Sequence, residues 1–147
     1  MANEEVKRAD EQVVVFLLDK ESYGIDIFRV SEIIRLREIT PIPKSEEHIR
    51  GLVNLRGKTI PVVDLRVRFR LKAQDETDLS RIIVVEAAES QVGIVVDAVT
   101  EVVNLEGENI EAAPGLVTEL DADFVRGVAK TETGIITLLD LDQALVA

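Results

Sequence analysis

An internal repeat constrains the fold of this chain more than any other feature. The segment Tyr23-Gly-Ile-Asp-Ile-Phe-Arg-Val-Ser-Glu-Ile-Ile34 aligns without a gap, at an offset of 69 residues, with Val92-Gly-Ile-Val-Val-Asp-Ala-Val-Thr-Glu-Val-Val103. Gly, Ile, Val and Glu recur in register, with Ser/Thr and Ile/Val exchanges between them. A second block, Gly51 to Leu65, aligns with Gly127 to Leu141 at an offset of 76, matching Gly51 with Gly127, Ile60 with Ile136, Asp64 with Asp140 and Leu65 with Leu141. The offsets differ by seven residues, so the second copy has the longer connection, around Asn104 to Phe124. Each copy has about 60 residues, too few for a large independent core. The two must bury a shared interface.

Short apolar segments rich in Val and Ile, broken by Gly, Pro or charge, predict strands in each copy. They are Val13 to Leu18, Tyr23 to Ile27, Ile33 to Leu36, Leu52 to Asn54, Thr59 to Asp64, Arg81 to Ala87, Gln91 to Val96, Val99 to Leu105, Gly127 to Lys130 and Gly134 to Leu139. Helices are few and short: one turn over Glu46 to Arg50, and two short helices over Asp64 to Phe69 and Asp140 to Val146, each opened by an Asp able to accept from free amides. Five short strands per copy favour small closed barrels, because closure removes sheet edges. The expected fold is mainly β, with two five-stranded barrel lobes related by a pseudo-twofold axis. The lobes are expected roughly over 13–70 and 81–147, with strands open to exchange between them, after a mobile tail over 1–11. Residues 73–80 read as an acidic surface loop. The hydrophobic share is 46%, but aromatics are only 3%, so the shared interface is expected to be aliphatic.

The 147-residue chain carries a formal charge of −11, which opposes attraction to nucleic acid or anionic lipid. That charge is uneven. Residues 35–72 hold ten basic and four acidic side chains, a local charge of +6, between an acidic start and an acidic end. No apolar run is long enough to cross a bilayer, and the first residues lack the basic and apolar blocks of a secretion signal, so the expectation is a cytoplasmic protein without membrane insertion.

Chemistry is sparse. There is no cysteine, which removes thiolate metal sites and thiol nucleophiles. Gly57-Lys58-Thr59 ends like a phosphate loop, but position 52 is Leu where the motif needs Gly, and a strand follows where the motif needs a helix. His48 is the single histidine, in the polar loop Ser45-Glu46-Glu47-His48, with no nucleophile partner in sight. Asp121/Asp123 and Asp140/Asp142 lack the spacing of calcium loops. The run Arg66-Val-Arg-Phe-Arg-Leu-Lys72 reads as a solvated face with Val67, Phe69 and Leu71 buried; nucleic-acid binding would need more aromatic stacking than Phe69 supplies. No cofactor, metal or catalytic group is expected, and an enzyme or a nucleic-acid-binding barrel ranks behind an interaction protein.

Arg56, between Leu55 and Gly57, is expected at a hairpin tip, where a guanidinium can reach a carboxylate or carbonyl of another surface. Its counterpart in the second copy is Glu132. A residue needed only for folding would match more readily in both copies, which points to a specific role for Arg56.

At this point the chain resembles the CheW family of bacterial chemotaxis coupling proteins, over about residues 12–145. The resemblance rests on the order and spacing of Tyr23-Gly-Ile-Asp-Ile with Val30 and Glu32-Ile33-Ile34, Ile39-Thr-Pro-Ile-Pro43, Gly51-Leu-Val-Asn-Leu-Arg-Gly57, Ile60-Pro-Val-Val-Asp-Leu-Arg66, Val92-Gly-Ile-Val-Val-Asp97 and Leu138-Leu-Asp-Leu141. It implies two intertwined five-stranded SH3-like barrels. It also implies a non-enzymatic adaptor joining the cytoplasmic tips of methyl-accepting chemoreceptors to the regulatory domain of the histidine kinase CheA, recruited to membrane-associated receptor arrays. Val30, Glu32, Gly51 and Arg56 match positions associated with coupling, and Asn54 and Leu55 flank the last of these in the hairpin. One departure is Ile49, two places before Gly51, where relatives often carry an aromatic residue.

Overall fold

The computed structural model describes residues 9–87, 89–111, 122–132 and 134–145; most of the tail expected over 1–11 and much of the connection around 104–124 lie outside them. The strands are β1 (Glu11–Leu18), β2 (Glu21–Asp26), β3 (Val30–Arg35), β4 (Ile49–Leu55), β5 (Lys58–Asp64), β6 (Arg81–Ala87), β7 (Ser90–Val96), β8 (Ala98–Leu105), β9 (Ile110–Glu111), β10 (Val125–Thr131) and β11 (Gly134–Leu139). Two one-turn helices, α1 (Leu65–Arg68) and α2 (Leu141–Ala144), follow β5 and β11. As the sequence predicts, Asp64 and Asp140 cap them: Asp64 Oδ1 accepts from the Arg66 amide at 2.9 Å, and Asp140 Oδ1 from the Gln143 amide at 3.2 Å.

The strands form two sheets, ordered β8-β1-β2-β11-β10-β9 and β3-β6-β7-β5-β4. Applying the repeat turns β1, β2, β3, β4 and β5 into β6, β7, β8, β10 and β11, and the first five strands of one sheet become the other. Each sheet therefore takes strands from both copies. β2 runs into β3, and β7 into β8, by crossing from one sheet to the other. The parallel pairings of β2 with β11 and β5 with β7 are repeat-related: Gly24 lies opposite Leu138, and Gly93 opposite Val62. These glycines recur because a Cβ at Gly93 would stand 2.9 Å from Ile82 Cγ2, and one at Gly24 3.0 Å from Ile136 Cγ2. The fold is mainly β with two SH3-like lobes. One lobe departs from five strands, because the longer connection of the second copy contributes the two-residue β9.

Apolar side chains sort by strand parity. On β1, Val13 and Val15 fill one lobe, whereas Val14, Phe16 and Leu18 point into a central core shared with the other lobe. On β6, Ile82 and Val84 fill the second lobe, whereas Ile83 and Val85 enter the shared core. Strands buried on both faces read as unbroken apolar runs, which is why Val-Val-Val-Phe-Leu-Leu over 13–18 shows no alternation. The shared core is not purely aliphatic. Phe16, Tyr23, Phe69 and Phe124 form a ladder there, with successive ring centroids 5.8, 6.1 and 5.3 Å apart. Few aromatics were available, and the fold places four of the five in or against this shared core.

Two ion pairs reinforce this junction with reversed charge. Arg66 on α1, its side chain only 9% exposed, donates at 2.5 Å to Oδ2 of Asp97, just after β7. Asp142 on α2, at the repeat position of Arg66, accepts from Arg29 Nη2 at 2.6 Å. The buried guanidinium corrects the expectation that the basic run over 66–72 is a solvated face. Arg68 is likewise turned inward, with its guanidinium 5.0 Å over the Phe124 ring. The stretch over Glu46 to Arg50 is also no helix. Ile49 N donates to Glu46 O at 3.0 Å, closing a turn that leads directly into β4.

Candidate functional site

The β4–β5 hairpin closes with a two-residue loop, Arg56-Gly57, at φ of 53° and 83°. Two positive φ angles give the turn twist that suits a right-handed hairpin, and they normally select Asn or Gly at the first position. Arg56 therefore holds a backbone conformation that a longer side chain adopts only at a cost. Asn54 supports it, its Oδ1 accepting from the Gly57 amide at 3.2 Å, while the Asn54 carbonyl accepts from Arg37 Nη1 at 3.2 Å. Leu55 is buried beneath the tip, in the core of this lobe.

From this tip the Arg56 guanidinium reaches β3. Its Nη1 and Nη2 donate to Glu32 Oε2 and Oε1 at 2.5 and 3.0 Å, a two-pronged pair in which the arginine side chain is 74% exposed and the glutamate 24%. β3 and β4 are the two edges of their sheet, so the pair draws these edges together across the mouth of the lobe. The Arg56 hydrogen bond holds the Glu32 carboxyl below its ordinary range, with the charge of Arg37 adding to the effect, and Glu32 raises Arg56 in return. Exposed as it is, the pair adds little to stability. It offers a rigidly held, solvent-facing guanidinium.

Gly51 supports this hairpin from below. It is buried, sits at a bulge in the β4–β5 ladder and has φ of 151°, a region that favours glycine. A Cβ there would press into the Thr40 carbonyl and stand 2.8 Å from Ile39 Cγ2. That close approach lets Thr40 and Leu52 exchange two backbone hydrogen bonds of 2.8 Å. Val30 lies apart from the tip, half-buried at the start of β3 against the shared core. The structure thus gathers Glu32, Asn54, Leu55 and Arg56, makes Gly51 a backbone support, and leaves Val30 at the lobe junction.

The other lobe carries no copy of this pair. Glu132 stands at the repeat position of Arg56 and Glu101 at that of Glu32, and both line an open groove with Val103 and Ile136 at its wall. Two exposed aliphatic residues were not singled out from the sequence: Ile33 on β3 is 40% exposed and its repeat mate Val102 on β8 is 52% exposed. Each lies on the outer face of an edge strand. Their matched offset of 69 was the signal that could have found them. Gly57-Lys58-Thr59 is a hairpin turn entering β5. His48 is buried, with no hydrogen-bond partner at Nε2 among the described residues.

A duplicated, strand-exchanged pair of SH3-like lobes, with an exposed arginine hairpin on one of them, defines the structural class of this chain. The CheW-like domain family matches residues 12–147, and the chain belongs to the CheW family. It is similar to the chemotaxis protein CheW of Treponema pallidum, 31% identical over 134 residues that span 88% of this chain and 79% of the relative. The chemotaxis protein CheW of Klebsiella aerogenes is 33% identical over 135 residues, 92% of this chain and 81% of that one. Among solved structures, the scaffolding protein TtCheW from Thermoanaerobacter tengcongensis matches with a TM-score of 0.88 and 42% identity over 93% of both chains.

Proposed function

We propose that this protein is a non-enzymatic chemotaxis adaptor that joins the cytoplasmic tips of methyl-accepting chemoreceptors to the regulatory domain of the histidine kinase CheA. It acts in the cytoplasm and is recruited to receptor arrays. The observation that carries this reading is the Arg56–Glu32 pair, exposed at a hairpin tip and present in one lobe only. A side chain that contributes little to folding, yet is held in a costly backbone conformation, is suited to contact a partner. The hairpin formed by Asn54, Leu55 and Arg56, with Glu32 beside it, supplies orientation. Val30 at the lobe junction and the exposed Ile33 supply apolar area, and Gly51 acts through the backbone path of the hairpin. An adaptor of this kind changes kinase output by binding the active and inactive arrangements of its partners with different affinity.

The test replaces Arg56 with Ala or Glu and measures binding to the isolated kinase regulatory domain and to receptor-tip fragments. Binding to at least one partner is expected to weaken about tenfold or more, as for a central arginine contact, while circular dichroism and melting stay nearly unchanged. Full binding by both variants, or loss of the fold, refutes the assignment.

A further inference from the structure

Two clasps cross the mouth of the lobe that carries the Arg56 hairpin, both reaching from the β3 side to the tip. The first is the Arg56–Glu32 pair. The second is made by Arg37, two residues beyond β3, whose Nη1 donates at 3.2 Å to the carbonyl of Asn54, two residues before Arg56. The backbone that carries Arg37 is well anchored: Leu36 and Ile39 pack against the core of this lobe, and Thr40 exchanges hydrogen bonds with Leu52 on β4. The tip has less support of its own, because Asn54, Arg56, Gly57 and Lys58 are all exposed and Arg56 holds a φ of 53°. The first clasp occupies both terminal nitrogens of the Arg56 guanidinium, so a partner that engages this fork loosens it. The second uses no atom of the Arg56 side chain and outlasts that exchange. After the Arg56 hydrogen bond, the charge of Arg37 also helps to hold the Glu32 carboxyl below its ordinary range, so Glu32 keeps a cation nearby when Arg56 turns away. The repeat ties Arg37 to the same site. Ile34-Arg35-Leu36-Arg37 corresponds to Val103-Asn104-Leu105-Glu106, with Leu36 and Leu105 packed in the cores of their respective lobes. Glu106 stands at position 37 in the lobe where Glu132 stands at position 56, and both line the open groove with Glu101. The two arginines are lost together, as residues that serve one site would be.

We propose that Arg37 is a positioning residue of the interaction site, holding the hairpin through the Asn54 carbonyl while Arg56 turns from Glu32 to the partner; this rests on Arg56 being the adaptor's contact. Without Arg37 the tip loses one of its two clasps, and engagement of Arg56 then releases the other. The partner has to order the hairpin as it binds, and the cost of that ordering comes out of the affinity.

The test measures binding of the full chain to the kinase regulatory domain and to receptor-tip fragments for Arg37→Ala, Arg37→Lys, Arg56→Ala and the double variant Arg37→Ala/Arg56→Ala. Arg37→Ala is expected to weaken the partner that depends on Arg56 about fivefold, the loss of one exposed hydrogen bond, while melting stays unchanged. Arg37→Lys, which keeps the charge and a donor, should restore most of that affinity. In the Arg56→Ala chain, Arg37→Ala should cost nothing more, because it acts through Arg56. Full binding by Arg37→Ala, or no rescue by Arg37→Lys, overturns the proposal. So does an equal loss in the Arg56→Ala chain, which makes Arg37 a contact in its own right, or a fall in melting that accounts for the loss, which makes it a support of the fold alone. If Arg56→Ala binds both partners fully, the adaptor reading fails and the role of Arg37 falls with it; if Arg56→Ala loses binding and Arg37→Ala does not, only the role of Arg37 fails.

Discussion

Replacement of Gly51 by Ala tests the link between backbone geometry and the presentation of Arg56. The added Cβ enters the space taken by the Thr40 carbonyl, so the segment over 39–40 must move away from β4. The two 2.8 Å hydrogen bonds between Thr40 and Leu52 then weaken or break, at about 1 kcal/mol each. Alanine at φ of 151° adds about 1 to 2 kcal/mol of strain. The sum is about 3 to 4 kcal/mol, which for a chain of this size lowers the melting temperature by about 6 to 16 °C. Urea unfolding gives the stability change, and native-state hydrogen exchange reads the Thr40 and Leu52 amides directly. Both amides are expected to lose protection beyond the global loss. A cost below about 1 kcal/mol, or undisturbed protection at these two amides, refutes the reasoning. Partner binding should also weaken in folded Gly51→Ala, because the displaced segment no longer supports β4 and its hairpin.

Three further outcomes follow from particular side chains. Asp97→Ala strips the buried Arg66 guanidinium of its closest acceptor and is expected to cost about 2 to 3 kcal/mol in urea unfolding, whereas Asp142→Ala, at the exposed sister pair, should cost less than about 1 kcal/mol and vary with salt. His48 is held below its ordinary value first by burial and then by Arg68. Its neutral form thus contributes stability that is complete above the unfolded value near 6.5 and is lost as pH falls below it. The unfolding midpoint of wild type should therefore drop more steeply than that of His48→Leu between about pH 6.5 and 5, and parallel curves would rule this out. Tyr23, the single tyrosine, is pushed up to about 12 by burial, with Glu21 and Asp19 adding. Its contribution to stability is complete below about pH 10 and lost as pH rises through the folded value; phenolate absorbance in the native protein should not appear near pH 10.

The sequence by itself determined ten of the eleven strands among the described residues, the helix caps and the duplication. Runs such as Arg81 to Ala87 and Gly134 to Leu139 match β6 and β11 residue for residue, because short β-branched apolar runs bounded by polar or turn residues are local signals. It also exposed Arg56 as a residue outside the repeat, since a broken symmetry is visible in an alignment of the two halves. Pairings were not legible in this way. That β1 joins β8, and β3 joins β6, depends on which faces bury together across about 90 and 50 residues of chain, which no local pattern encodes. The same holds for Glu32 meeting Arg56 from the opposite sheet edge, for Arg66 buried against Asp97, and for β9 arising from an unpatterned connection. Propensity and spacing act over a few residues. Charge partners, burial of long side chains and the exchange of strands between lobes are set by contacts that exist only once both copies are packed.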